Sequence, residues 1–101
     1  MIETKQTPTF KAWFAKLRDD RAKRAITNRI GRIGYGLFGD SKPVGEGISE
    51  LRIDVGPGYR VYFARIGGAV VLLLCGGDKS SQAKDIAQAK TLAAQAKDDG
   101  K

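Results

Sequence analysis

The chain has 101 residues, 42% of them hydrophobic and 29% charged. One cysteine excludes an internal disulfide framework, and the absence of histidine excludes Ser-His-Asp chemistry, His-based acid–base pairs and most catalytic zinc sites. With 18 Lys and Arg against 11 Asp and Glu, the formal net charge of +7 points to a polyanionic or acidic partner, nucleic acid first.

This length fits one domain spanning residues 1–101. The longest apolar run, residues 69–75, is too short to cross a bilayer. The polar residues after Met1 do not read as a signal peptide. The expectation is a cytoplasmic protein with no membrane partner.

Residues 2–6 suit a short first strand. Thr7 can cap a helix opened by Pro8, and Phe10, Trp13, Phe14 and Leu17 then recur at helical spacing as a core stripe. Asp19-Asp20 ends that helix and caps a second, whose buried face is Ala22, Ile26, Ile30 and Ile33. Arg21, Lys23, Arg24, Arg29 and Arg32 fall mostly on its other faces, as a solvated basic surface or one that meets phosphates or a partner. Residues 34–47, rich in glycine and containing Pro43, read as a loop; the glycine spacing is wrong for a phosphate-binding loop.

From Ile48 the pattern alternates. Leu51, Ile53 and Val55 share one face, and Glu50, Arg52 and Asp54 the other. The turn Gly56-Pro57-Gly58 launches residues 59–66. There Tyr59, Val61 and Phe63 face one way, and Arg60, Tyr62 and Ala64 the opposite way. Gly67-Gly68 suits a two-residue hairpin turn, and AVVLLLC, ending at Cys75, suits a central strand. Cys75 reads as a buried structural thiol, because a nucleophile would want a base. Gly76 to Lys79 leave the sheet, Ser80 or Ser81 caps an Ala-rich final helix to about Lys97, and residues 98–101 are a frayed tail. The order is β-α-α-β-β-β-α, an α+β fold. A helical hairpin packs on one face of a curved antiparallel sheet, and the other face stays partly open and polar.

On that polar face Arg52, Asp54 and Arg60 can meet. Lys79 follows the central strand, Lys84 begins the last helix, and Tyr59 and Tyr62 border the group. Such a surface suits RNA: cations hold phosphates and aromatics stack on splayed bases. Cleavage by the RNA's own 2′-hydroxyl requires only orientation, phosphorane stabilisation, a base and an acid. Neither metal nor cofactor is needed. The alternative is structural: sheet arginines paired with cross-strand carboxylates.

GPGYRVYF and LLLCGGDKSSQAKDIAQA, with the early TPTFKAWFAKL and ELRID, resemble the RelE/ParE superfamily of bacterial toxins, most closely its HigB-like addiction-module killer branch. The likeness covers nearly the whole chain. It implies a RelE-like fold and a type II toxin: a ribosome-dependent, metal-independent mRNA endonuclease acting in the ribosomal A site. It also implies a cognate antitoxin, often a helix-turn-helix protein, through which the complex meets operator DNA. Arg60 matches the arginine to which the family attributes phosphate stabilisation. Lys79 stands where relatives carry a second catalytic arginine, and Arg52 corresponds to a strand lysine. Asp54 replaces a second lysine, and a tyrosine of the last helix is missing, with Asp85 or Ile86 near its place. Tyr59, Lys84, Asp54 and Tyr62 are secondary candidates. The superfamily also implies two alternatives, a ParE-like gyrase inhibitor and an inactive antitoxin-binding subunit.

Overall fold

Two side chains set the helix starts. In the computed structural model, which describes residues 1–99, the Thr7 hydroxyl accepts from the Phe10 amide at 3.0 Å and Pro8 occupies the first turn, opening α1 (Pro8–Lys16). The Asp19 carboxylate accepts from the Ala22 amide at 3.1 Å and opens α2 (Asp20–Ile33). Before them lies β1 (Glu3–Gln6). After them come β2 (Ser41–Gly45), β3 (Ile48–Ile53), β4 (Tyr59–Ile66), β5 (Val70–Asp78), a short 3₁₀ turn (Lys79–Ser81) and α3 (Gln82–Asp99).

The class is α+β, with one five-stranded sheet in the order β1-β5-β4-β3-β2 and three helices. The strands depart from expectation in three places. The stretch read as a loop contains β2, which pairs antiparallel with β3 as an edge strand. Pro43 is tolerated because an edge strand need not donate on its outer side. Glu46 and Gly47, both at positive φ (54° and 77°), make the tight link to β3. The sheet is mixed, not antiparallel, because β1 pairs parallel with β5. Finally, Gly76, Gly77 and Asp78 do not leave the sheet; they continue β5 opposite Val61, Arg60 and Tyr59.

Alternation divides the core into two layers. Phe10, Ile26 and Ile33 of the helical pair bury against Leu51, Ile53, Val61, Phe63, Val71 and Leu73. On the other face α3 brings Ile86, Ala89, Leu92 and Ala93 onto Ile48, Tyr62, Leu74 and Cys75. The second face, expected to be partly open, is therefore covered by α3 over much of β4 and β5. The bounds of α3 reach Asp99, and residues 100 and 101 of the tail expected to fray lie outside the described residues.

A register shift near Leu74 puts two residues of β5 opposite one of β4, and Leu74 and Cys75 both join the α3 layer. The Leu74 carbonyl accepts from the Thr7 hydroxyl at 2.6 Å, so one side chain caps α1 and fastens the bulge. Beyond it Gly76 lies beneath Trp13, where a β-carbon would overlap the indole ring. We predict that Gly76→Ala destabilises the fold by about 1–3 kcal/mol through overpacking, measured by urea unfolding. In a Trp13→Ala background the penalty should shrink; an undiminished penalty would exclude the indole as its cause.

Candidate functional site

Arg52 and Arg60 are direct cross-strand partners on β3 and β4. Like charges placed so are unfavourable unless each finds its own counter-charge. Each does. Arg52 reaches Asp40, which lies just before β2, with Nε and Nη2 donating to the same carboxylate oxygen at 3.0 and 2.8 Å. Arg60 Nε lies 3.1 Å from Glu50 Oε1, close enough for an ion pair though misaligned for a hydrogen bond.

The two pairs differ in burial. Arg52 and Asp40 have side chains 40% and 53% exposed, so their pairing is a screened surface contact. The hydrogen bond from Arg52 holds the Asp40 carboxyl below its ordinary range, and the same bond raises the Arg52 guanidinium. Glu50, by contrast, is fully buried and the Arg60 side chain only 10% exposed. Glu50 is the direct partner of Tyr62, so Arg60 is its diagonal neighbour. The second Glu50 oxygen accepts from Gln82 Nε2 at 2.7 Å, and Arg60 Nη1 donates to the Tyr59 carbonyl at 3.0 Å. Arg60 is thus gripped on two sides while its Nη2 makes no hydrogen bond among the described residues.

Lys79 arrives from the end of β5. Asp78 accepts from the Ser80 amide at 2.8 Å and from the Ser80 hydroxyl at 2.5 Å, which turns the chain and holds the Asp78 carboxyl below its ordinary range. The Lys79 amide donates to the Gly58 carbonyl at 3.1 Å. Gly58, at φ +84°, leaves room for the lysine stem; a β-carbon there would stand 2.8 Å from Lys79 Cε. The second glycine of the GPGY turn therefore admits the Lys79 side chain.

Arg52, Asp54, Arg60 and Lys79 line one groove of about 220 Å³ together with Asp40. These four sequence-predicted residues are brought together. Tyr59, Tyr62 and Lys84 do not line it. Tyr59 is half-buried on the helical face, edge-on to Trp13 at 6.4 Å between ring centres. Lys84 is exposed on α3. Tyr62 shares the Arg60 side of β4 but is fully buried in the α3 layer, with no ring face open to a base. Both tyrosines therefore leave the border expected of them. Asp85 is buried too, accepting from the Ser81 hydroxyl at 2.5 Å above Gly77.

The carboxylate network considered from sequence is present, but with other members. Asp54 is exposed and joins none of the ion pairs among the described residues; Asp40 and Glu50 take that part. Asp40 carries no signal of this, because its stretch reads as loop. Glu50 carried a signal, an acid two residues before Arg52 on the same face of the same strand. Arg29, counted on the basic surface, turns inward to donate to the carbonyls of Arg52, Phe38 and Asp40 at 2.6, 3.1 and 3.1 Å.

Behind the groove, burial pushes the Cys75 thiol up to about 12 and the nearby Asp85 carboxylate adds to this. The thiol donates to the Asp85 carbonyl at 3.5 Å. Burial first, and then the Glu50 carboxylate, raise the Tyr62 phenol. Cys75 is a structural thiol, protonated at neutral pH.

An uncharacterized protein of Haemophilus influenzae (strain ATCC 51907 / DSM 11121 / KW20 / Rd) is 58% identical to this chain over 92 residues, covering 91% of this chain and 93% of the relative. The chain belongs to the same family as that protein. No protein-family model matches it.

Both raised groups hold their protons more tightly folded than unfolded. Their contribution is complete below the ordinary thiol value and is lost as pH rises, from about pH 9 upward. The Tyr62 hydroxyl is buried with no hydrogen-bond partner among the described residues. We therefore expect Tyr62→Phe to leave stability at pH 7 unchanged or higher and to flatten its decline above about pH 10. Chemical unfolding across pH checks this. A loss above about 1 kcal/mol at pH 7 would show that the hydroxyl is bonded.

Proposed function

We propose that this protein is the toxin of a type II toxin–antitoxin module, with a RelE-like fold, and that it cleaves mRNA on the ribosome without a metal until a cognate antitoxin neutralises it. The observation that carries the reading is the groove in which Arg60, Arg52 and Lys79 converge beside Asp54. The resemblance of GPGYRVYF and the GGDK segment to the RelE/HigB toxins adds to it.

In this reading the mRNA phosphodiester sits over Arg60. The 2′-hydroxyl attacks the adjacent phosphorus, and the bond to the 5′-oxygen breaks. The products are a 2′,3′-cyclic phosphate and a 5′-hydroxyl. Asp54, the groove carboxylate outside the ion pairs, accepts the 2′-hydroxyl proton. Lys79, an exposed ammonium, donates a proton to the leaving oxygen. Arg60, already oriented by Glu50 and the Tyr59 carbonyl, meets the extra negative charge of the phosphorane without reorganising. Arg52 steadies the phosphate from the next strand.

A second reading, an antitoxin-binding subunit without catalysis, draws on the balance of charge. Three cations at the groove are matched by Asp40, Glu50 and Asp54.

Brief induction in bacterial cells, with mRNA 5′ ends mapped by primer extension beside a translation-blocked transcript, separates the readings. The nuclease predicts new ends inside translated frames only. Lys79→Ala should lower cutting by about 100-fold, and Arg52→Ala by less. Arg60→Ala is a poor probe, because it strands a buried carboxylate at a cost of about 3–5 kcal/mol; the double change Glu50→Gln with Arg60→Gln removes both charges together. Growth arrest with intact mRNA would favour a gyrase inhibitor, and no arrest the binding subunit.

A further inference from the structure

The groove does not hold the chain's surplus of positive charge. Residues 8–33 carry eight Lys and Arg against two Asp, a surplus of six within a total of +7. Arg29 is engaged with carbonyls, but Arg21, Arg24 and Arg32 are exposed, and no α2 cation joins the ion pairs found among the described residues.

This surface is continuous with the groove. A shallow depression between α1 and α2 is lined by Phe14, Lys23, Arg24, Thr27 and Asn28. A second depression, between α2 and the end of β3, includes Asn28, Arg32 and Asp54. Asn28 borders both depressions, and Asp54 borders both the second and the groove. From Lys23 to Arg32 the path covers about 13 Å along α2.

We propose that an RNA strand leaving the groove follows this path, its phosphates passing Asp54 to Arg32, then Asn28, then Arg24 and Lys23. The RNA identity rests on the function proposed above; the path rests on the geometry and charge. Its chemistry selects a phosphate backbone over a protein. The large exposed apolar residues, Met1, Tyr35, Leu37 and Ile66, all lie off the path. Phe14 is half-buried with the Lys23 amine 5.3 Å from its ring centre. Protein interfaces need an apolar, charge-poor centre, whereas a phosphate backbone needs spaced cations and polar side chains. The aromatic ring on the path, Phe14, is half-buried and met by the Lys23 amine, so the path reads charge and not sequence.

The test is fluorescence anisotropy of the full chain with a labelled, uncleavable 2′-O-methyl RNA of 15 nucleotides, titrated at several KCl concentrations. The triple variant Lys23→Ala, Arg24→Ala, Arg32→Ala should bind at least tenfold more weakly. Its log–log salt slope should be shallower by about 2, following about 0.7 per neutralised single-strand contact. Lys5→Ala with Lys97→Ala, exposed cations elsewhere, should match the parent. An unchanged slope in the folded triple variant, an equal loss in the control pair, or competition by polyglutamate as effective as by RNA would overturn the path. The function is judged separately. If the parent leaves cellular mRNA intact while the triple variant still loses the slope, the path stands and the nuclease falls. If the parent cuts mRNA and the slope does not move, the reverse holds.

Discussion

The buried ion pair between Glu50 and Arg60 organises the rest of the site. Taking both groups out of water costs several kcal/mol per ion, and an apolar pair of similar volume would commonly stabilise a sheet as well or better. Stability alone therefore does not account for it. What the pair does is hold a guanidinium at one place and angle. β3 and β4 supply the diagonal register, Gln82 occupies the other carboxylate oxygen, and the Tyr59 carbonyl takes Nη1. α3 is thus joined to the groove by one hydrogen bond, so its docking and the orientation of Arg60 are linked. A pre-oriented cation is what phosphoryl chemistry rewards, because no reorganisation is needed when charge develops.

Three glycines shape the space around that pair. Gly58 admits the Lys79 stem, Gly76 admits the Trp13 ring, and Gly77 lets Asp85 settle onto β5. Side chains from α1, α3 and the 3₁₀ turn can therefore close on the same end of the sheet. The charge is divided accordingly. The groove is nearly balanced and geometrically fixed, while the helical pair carries the surplus of positive charge. Under the proposed function, positioning and attraction of the RNA fall to different faces of the molecule.

Much of this was legible in the residues. Thr7 and Asp19 cap the helices as their chemistry suggests, and alternation assigned Leu51, Ile53, Val61 and Phe63 to one layer. It also put Arg52, Asp54 and Arg60 on one face. Alternation tells which face a residue takes but not what covers that face. Tyr62 accordingly looked like a border residue, and α3 hides it. β2 was obscured by Pro43 and its glycines, which signal loops as strongly as edge strands. The parallel β1–β5 pairing joins residues nearly seventy positions apart, and no local pattern encodes it. Asp40 depended on β2, since it reaches Arg52 only once β2 lies beside β3.

The most direct measurement of how Arg60 is held is proton–nitrogen NMR of the arginine side chains, with and without an uncleavable RNA trinucleotide. The buried pair should give an Arg60 Nε–H signal protected from exchange in the free protein. On RNA addition that signal shifts while its protection persists, because Glu50 holds the guanidinium while phosphate approaches the free edge. An Arg60 signal that exchanges freely, or one that stays unmoved while RNA binds, would contradict it.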